Sequence, residues 1–273
     1  MRSLRLLPLV LVVVAIIGGV AIEKLVGVDR HGATVADVDI DSKDVGVRLR
    51  TTVVVPADRP TGKRPLLVFL HGRNGNSQSE LDDAFFSALA SLGKEAPLVA
   101  FPNGGTHSYW HDRSEGAWGR YVVREVIPTV VSRFGADAHR VAIGGISMGG
   151  FGAYDIARLN PGRFCAVGGH SPALWRTGGE TASGAFDNAE DFAKHDVIGA
   201  AQANPDLYGD ARLWLDAGRD DPFQPGDKAM VAALGPRVSA HLTWPGGHED
   251  AYWNDHWPQY ARFYARALAD CHR

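Results

Sequence analysis

The stretch Gly144-Gly145-Ile146-Ser147-Met148-Gly149-Gly150 contains the pattern G-x-S-x-G at a change of local character. Residues 140–143 before it form an apolar run that predicts a buried strand, and residues 151–159 after it predict a helix rich in small side chains. On a sharp turn from strand to helix the backbone passes close to itself, so the positions two residues before and after the serine must be small. Gly145 and Gly149 occupy those positions. The pattern therefore favours a strained, reactive serine over a serine in an ordinary glycine-rich turn.

A serine hydroxyl is a weak nucleophile at neutral pH and needs a histidine to take its proton and an acid to orient that histidine. On this kind of turn the chain order is serine, acid, histidine. Residues 238–244 read as the last strand and are followed by Pro245-Gly246-Gly247-His248-Glu249. We therefore predict His248 as the general base. His256 is a weaker alternative, because it falls inside the C-terminal helix.

The acid is expected after the strand predicted over residues 213–217, which breaks into Gly218-Arg219-Asp220-Asp221-Pro222-Phe223. We predict Asp221, because the acid in such loops usually lies three residues after the glycine. Asp220 stays open as the alternative, and Asp216 is disfavoured because it lies within the strand. Whichever of the two adjacent aspartates is not catalytic caps the turn or faces solvent.

Two backbone amides must receive the negative charge of a tetrahedral intermediate. The amide of Met148, directly after the serine, is one predicted donor. The other is the amide of Arg73, in the loop that follows the apolar run over residues 66–70. His71 opens this loop and precedes the serine in the chain, so we predict a structural role for it rather than a catalytic one.

Together these segments resemble the esterase D branch of the α/β-hydrolases, which includes feruloyl and acetylxylan esterases, S-formylglutathione hydrolases and mycolyltransferases. The resemblance covers residues 49–268, and it implies an eight-stranded, mostly parallel sheet, a Ser147, Asp221 and His248 triad, and an oxyanion hole from the Arg73 and Met148 amides. It rests on His71-Gly72-Arg73, Pro102-Asn103-Gly104-Gly105, Tyr109-Trp110, Gly145-Ile146-Ser147-Met148-Gly149-Gly150, Gly218-Arg219-Asp220-Asp221-Pro222-Phe223 and Gly247-His248.

Length and pattern agree with this fold class. A chain of 273 residues is long enough for one α/β domain with a full core. Predicted strands and helices alternate, which favours a parallel sheet with helices on both faces. The insertion between residues 170 and 211 is too short for a lid domain, so we expect it to form one rim of the pocket. A net charge of only −3 argues against nucleic acid as a partner.

The N-terminus has the features of an export signal. Arg2 and Arg5 precede an apolar run over residues 6–22, and no convincing cleavage site follows it. We predict a signal peptide or signal anchor over residues 1–25, a polar tether over 26–45 and a catalytic domain over 46–273. The protein is expected outside the cytoplasm, either secreted or held at the membrane by this segment. Export makes a disulfide between Cys165 and Cys271 plausible, the alternative being two free thiols.

Substrate and cofactor are less well defined. Tyr109 and Trp110 follow a strand at the ligand-binding side of such a sheet and form a candidate substrate wall, with packing under the loop as an equal alternative. His107 and His111 lie near Asp112, but their spacing matches no strong ligand pattern, so no metal and no cofactor is predicted.

The function predicted from these features is an exported serine esterase acting on a small-molecule or carbohydrate ester. Two alternatives remain: an acyltransferase that passes the acyl group to a sugar hydroxyl, as the resemblance to mycolyltransferases implies, and a catalytically silent cell-surface binding module. The sequence leaves open the acyl and alcohol parts of the substrate and the oligomeric state.

Overall fold

A computed structural model of the protein describes residues 20–21 and 27–271. Its strands are β1 (Val20–Ala21), β2 (Thr34–Asp41), β3 (Arg48–Val55), β4 (Leu66–Leu70), β5 (Leu98–Pro102), β6 (Asp112–Arg113), β7 (Gly116–Ala117), β8 (Val141–Ile146), β9 (Ala166–His170), β10 (Arg212–Asp216) and β11 (Val238–His241). Its α-helices are α1 (Asp83–Ala90), α2 (Trp118–Tyr121), α3 (Ile127–Phe134), α4 (Met148–Leu159), α5 (Ala189–Lys194), α6 (Val197–Ala203), α7 (Gln224–Leu234) and α8 (Asp250–Ala269).

The main sheet has the strand order β1-β2-β3-β5-β4-β8-β9-β10-β11, and β6 and β7 pair separately. From β5 to β11 every neighbouring pair is parallel, whereas β1, β2 and β3 join the sheet antiparallel. The mostly parallel sheet expected from the sequence is therefore confirmed. Eight strands form as expected, and the two-residue β1 adds a ninth at the edge.

The tether predicted over residues 26–45 differs from the structure, because Thr34–Asp41 forms β2 and pairs with β3 along its whole length. The acidic residues that suggested a tether alternate with apolar ones, and Val38 and Ile40 enter the core. Asp39 Oδ2 lies 2.9 Å from the guanidinium of Arg48 on β3. Asp39 and Asp41 are exposed, whereas Asp37 is buried and accepts a hydrogen bond from Thr52. A strand whose acidic residues alternate with apolar ones reads locally like a polar linker, which explains the difference.

Two apolar layers cover the two faces of the sheet. Alternate residues of β4 point to opposite sides, so Val68 joins the cluster beneath α3 and α4, whereas Phe69 joins the cluster beneath α1 and α8. Cys165, just before β9, forms a disulfide with Cys271 after α8, with Cα atoms 5.8 Å apart. The insertion after β9 contains the short helices α5 and α6, and the described chain has no separate lid domain.

Because the parallel strands run in one direction, β4, β8, β10 and β11 all end at the same edge of the sheet. The loops that begin there carry every predicted catalytic residue. The last strand ends at His241, three residues earlier than predicted, which leaves a longer loop before α8. The predicted signal or anchor lies outside the described residues, apart from the two residues of β1. Within the described ranges, no helix is both long and apolar enough to cross a membrane.

Candidate active site

Ser147 lies at the turn between β8 and α4 with φ 55° and ψ −115°, a conformation that non-glycine residues rarely adopt. The two flanking glycines permit the close approach that this turn requires. A Cβ atom at Gly149 would stand 1.9 Å from the carbonyl oxygen of Leu70, and one at Gly145 would stand 2.5 Å from the backbone of Gly149. Local sterics therefore hold the serine in a strained position.

The structure brings Ser147, His248 and Asp221 into one hydrogen-bonded chain. His248 Nε2 lies 2.8 Å from Ser147 Oγ, and His248 Nδ1 lies 2.9 Å from Asp221 Oδ2. Asp221 is buried, and its other carboxylate oxygen accepts a hydrogen bond from the amide of Phe223 at 2.8 Å. The histidine is more accessible, with 22% of its side chain exposed. A substrate can therefore reach the serine and histidine but not the acid.

Backbone contacts hold the acid loop against the histidine loop. The amide of Asp220 donates to Gly246 O at 3.0 Å, and the amide of Arg219 donates to Trp244 O at 2.8 Å. A Cβ at Gly218 would stand 2.3 Å from Gly246 O, so only glycine allows this approach. The same contacts leave the Asp220 side chain exposed.

The other acid and base candidates have different partners. Asp216 is fully buried and accepts hydrogen bonds from four side chains, those of Trp214, His170, Tyr252 and Tyr260. His256 Nδ1 lies 2.6 Å from the carbonyl oxygen of Tyr252 in its own helix. The backbone of Asp216 supports the site indirectly. Its carbonyl oxygen accepts a hydrogen bond from the Ser171 amide, and the carbonyl oxygen of the preceding residue, His170, accepts one from the Ser147 amide.

Two backbone amides next to Ser147 are available to a ligand. The Met148 amide begins α4, where the first amides of a helix have no intrahelical acceptor. Arg73 lies in the loop after β4, beside Gly72, whose Cβ would stand 3.5 Å from Ser147 Cβ. Among the described residues neither amide donates a hydrogen bond, whereas the following amides of Asn74 and Gly75 donate to Thr106 O and Gly72 O.

His71 fixes the shape of this loop. Its Nδ1 lies 2.8 Å from Gly72 O, and its Nε2 accepts a hydrogen bond from the amide of Gly104 at 3.0 Å. Only a neutral imidazole donates at one nitrogen and accepts at the other. Burial lowers the pKa of His71 to about 4, so this neutral form persists at physiological pH. The histidine is thus a structural brace, as its position in the chain suggested.

A cavity of about 630 Å³ opens above Ser147 and His248. Tyr109 lies in its wall, and Ala182 brings the insertion to its rim. Trp110 does not reach it: its indole is fully buried, donates to His71 O at 3.1 Å and fills space next to Gly104 and Gly152. The prediction of Trp110 as a substrate contact is therefore wrong. The two glycines have no side chains, and the space this leaves is filled by the indole ring.

The cavity also contains residues that the sequence analysis missed. Asp250, Trp253, Asn254 and Trp257 on α8 line it. Their spacing of i, i+3, i+4 and i+7 places them on one face of the helix that follows His248. This spacing is visible in the sequence and could have predicted their position in the cavity. Glu80 also lines the cavity, and burial raises its pKa to about 8, so it carries a proton at neutral pH.

Comparison with known proteins agrees with the fold and the family. The family model "Esterase", described as "Putative esterase", matches residues 42–264. The S-formylglutathione hydrolase of Bos taurus is 26% identical over 212 residues, which span 67% of this chain and 73% of that protein. The structure of an S-formylglutathione hydrolase from Agrobacterium tumefaciens aligns with a TM-score of 0.74 and 17% identity, over 87% of this chain and 96% of the other.

A ferulic acid esterase structure aligns with a TM-score of 0.72 and 20% identity, over 86% of this chain and 98% of the other. At these identities the structural likeness shows the α/β-hydrolase fold, and the family match spans most of the chain. The protein belongs to the esterase family, in the esterase D-like branch of the α/β-hydrolases.

Proposed function

We propose that this hydrolase is a serine carboxylic-ester hydrolase that works through an acyl-enzyme. The observation that supports it best is the hydrogen-bonded chain Asp221–His248–Ser147, with 2.9 Å and 2.8 Å contacts, at a strained turn beside the free amides of Arg73 and Met148. The arrangement supplies a nucleophile, a general base, an acid that orients the base, and two amide donors for the negative charge, which are the groups that acyl transfer from an ester requires.

In the first step Ser147 Oγ attacks the ester carbonyl carbon while its proton passes to His248 Nε2. Asp221 holds the imidazole in the tautomer whose Nε2 is free, and it stabilises the imidazolium that forms. The carbonyl oxygen becomes negatively charged and accepts hydrogen bonds from the Arg73 and Met148 amides. The bond to the alcohol oxygen then breaks as His248 returns the proton to it, which leaves the acyl group on Ser147.

Water completes the cycle. It attacks the acyl carbon, gives one proton to His248, and the bond to Ser147 Oγ breaks as that proton returns to the serine. The products are a carboxylic acid and an alcohol, and the enzyme is regenerated. The arrangement needs no metal or cofactor for any of these steps.

The direct test is hydrolysis of a short p-nitrophenyl ester by the Ser147→Ala variant. We expect turnover to fall on the order of 10⁴-fold or more, and unchanged turnover would falsify the mechanism. Ser132→Ala, on the exposed face of α3, is the matched control and should keep full activity. A fluorophosphonate probe should label the wild type and the control but not Ser147→Ala; failure to label the wild type would instead favour a silent binding module.

Acyl transfer to a sugar is a second candidate, and the cavity wall supports it. Asp82, Asp250 and Asn254 present hydrogen-bonding groups there beside Trp253, a composition suited to a molecule rich in hydroxyl groups. Partition of a labelled acyl group between water and added glucose separates the two activities. Release of free acid alone supports hydrolysis, whereas an acylated sugar supports transfer.

We further propose that the catalytic domain acts outside the cytoplasm. The arginines before the apolar run over residues 6–22 and the Cys165–Cys271 disulfide support this location. N-terminal sequencing of the purified protein tests the anchor form: an intact N-terminus supports an anchor, and a mature terminus near residue 22 supports release.

A further inference from the structure

Three side chains of types that bind metal ions meet at a buried position close to Tyr109. They are His111, Asp191 and His195, and together they form the His111 cluster. One ligand atom from each lies within 4.8 Å of the other two. His111 Nε2 is 3.1 Å from Asp191 Oδ2, and His195 Nε2 is 3.8 Å from Asp191 Oδ1. Ligand atoms around a tetrahedral zinc ion stand about 3.3 Å apart, so small side-chain rotations would bring these three onto one ion.

A second carboxylate orients the cluster from outside. His195 Nδ1 lies 2.7 Å from Asp155 Oδ2 on α4, so Nδ1 donates there and Nε2 is the ring nitrogen that faces Asp191. Metal-binding histidines commonly have this carboxylate partner on the other ring nitrogen. Arg158 pairs with Asp155 at 2.6 Å, which leaves Asp191 as the carboxylate available to an ion.

Hydrogen bonding alone does not satisfy the cluster. The two imidazole rings lie with centroids 4.5 Å apart and share the single carboxylate of Asp191. His111 is fully buried, and within the described chain its Nδ1 has no hydrogen-bond partner. Buried polar atoms in folded proteins are nearly always paired, so protein hydrogen bonds alone do not satisfy this buried imidazole, whose other nitrogen, Nε2, faces Asp191.

We propose that the His111 cluster binds one zinc ion through His111, Asp191 and His195, with a water molecule as the fourth ligand. Two imidazoles and one carboxylate suit zinc, whereas calcium and magnesium prefer sites built from oxygen alone. The side chains of Asp191 and His195 keep 11% and 8% of their surface exposed, which gives the ion and its water a route from solvent.

The ion would join three parts of the chain that surround the catalytic cavity. His111 follows Tyr109 by two residues, Asp191 and His195 lie on and directly after α5 in the insertion, and Asp155 lies on the helix that begins at the nucleophile. Phe186 stacks on His111 at 5.0 Å and on Tyr109 at 6.5 Å between ring centroids. Zinc therefore stabilises the wall and rim of the cavity and does not touch the reacting atoms.

The test uses the full chain, stripped with a chelator, saturated with zinc and dialysed. Elemental analysis should then find one zinc ion per chain, and the thermal unfolding midpoint should be higher by several degrees than that of the stripped protein. Asp191→Ala and His195→Ala should each lose the bound zinc and the shift in midpoint. Asp155→Asn should weaken binding about 10- to 100-fold, because it disturbs only the orienting partner.

The matched control is His107→Ala, an exposed histidine of the same loop, which should retain one zinc ion and the full shift. Three outcomes would each overturn the proposal. They are loss of zinc in this control, equal zinc contents in the wild type and Asp191→Ala, and absence of zinc from the wild type. Titration of the stripped wild type with Co²⁺ gives an answer even if a variant fails to fold. Strong visible absorption is expected for four-coordinate cobalt, and its absence would count against the site.

Discussion

Asp221 Oδ2 lies 2.9 Å from His248 Nδ1, whereas its neighbour Asp220 points its side chain into solvent. The adjacent aspartates thus have opposite environments, which the close packing of Gly218 against Gly246 imposes on this turn.

Asp221→Asn should lower kcat on the order of 10⁴-fold with a small effect on KM, because an amide cannot hold His248 in the productive tautomer or stabilise its charged form. Asp220→Asn, the matched control, should change kcat less than about threefold, since surface substitutions of this kind have small effects. Steady-state kinetics with the p-nitrophenyl ester measures both. Equal losses in the two variants would contradict the assignment of Asp221.

Gly149→Ala should destabilise the fold as well as the site. The new methyl group would stand 1.9 Å from the backbone oxygen of Leu70, which cannot move without disturbing β4. We expect the free energy of unfolding in urea to fall by about 3 kcal/mol or more. Gly179→Ala is the control, because its Cβ meets nothing closer than 3.9 Å; a similar loss there would argue against the steric explanation.

Glu80 makes stability depend on pH in a defined direction. Its pKa is raised from 4.5 to about 8 by burial, with smaller effects of Asp250 and Asp82, so between these pH values the folded state binds more protons than the unfolded one. The contribution of this group is therefore fully present below about pH 4.5 and is lost as pH rises toward 8, at up to about 1.4 kcal/mol per pH unit.

Glu80→Gln replaces the protonated carboxyl group with a neutral amide of similar shape that does not titrate. Its free energy of unfolding should exceed that of the wild type at pH 8, and the difference should shrink toward zero near pH 5. Urea titrations at the two pH values measure this difference. Glu95→Gln, at an exposed position, should show no such trend, and a pH-independent effect of Glu80→Gln would refute the explanation.

The disulfide should contribute measurably to stability. Cys165 and Cys271 are the only cysteines, and their separation of 106 residues closes a loop that runs from just before β9 to just after α8. We expect reduction to lower the free energy of unfolding by about 2–4 kcal/mol. A Cys165→Ala, Cys271→Ala double variant should match the reduced wild type and no longer respond to reductant. Thiol titration of the unfolded, unreduced protein should find no free thiol; two thiols would contradict the disulfide.

Much of the fold was predictable because its signals are local. The strands β4 and β8 are buried on both faces, as central parallel strands must be, so each reads as a continuous apolar run of adjacent residues. The strand β2 was missed because its outward carboxylates pair with Arg48 on a different strand, and that pairing is invisible in residues 34–41 alone. Recognition of such a strand needs the neighbouring strand whose arginine pairs with its carboxylates.

The sequence by itself determined the strained serine, since the glycines that permit the turn at Ser147 are its close neighbours in the chain. It also set the order of Ser147, Asp221 and His248 along the chain, and strand direction then carries them to one edge. Tertiary structure alone decided which side chains face the cavity. It buried Trp110 in slots at Gly104 and Gly152, and it brought His111 to Asp191, 80 residues away. The physical reason is that backbone sterics act between near neighbours, whereas burial and side-chain pairing depend on segments that meet only after folding.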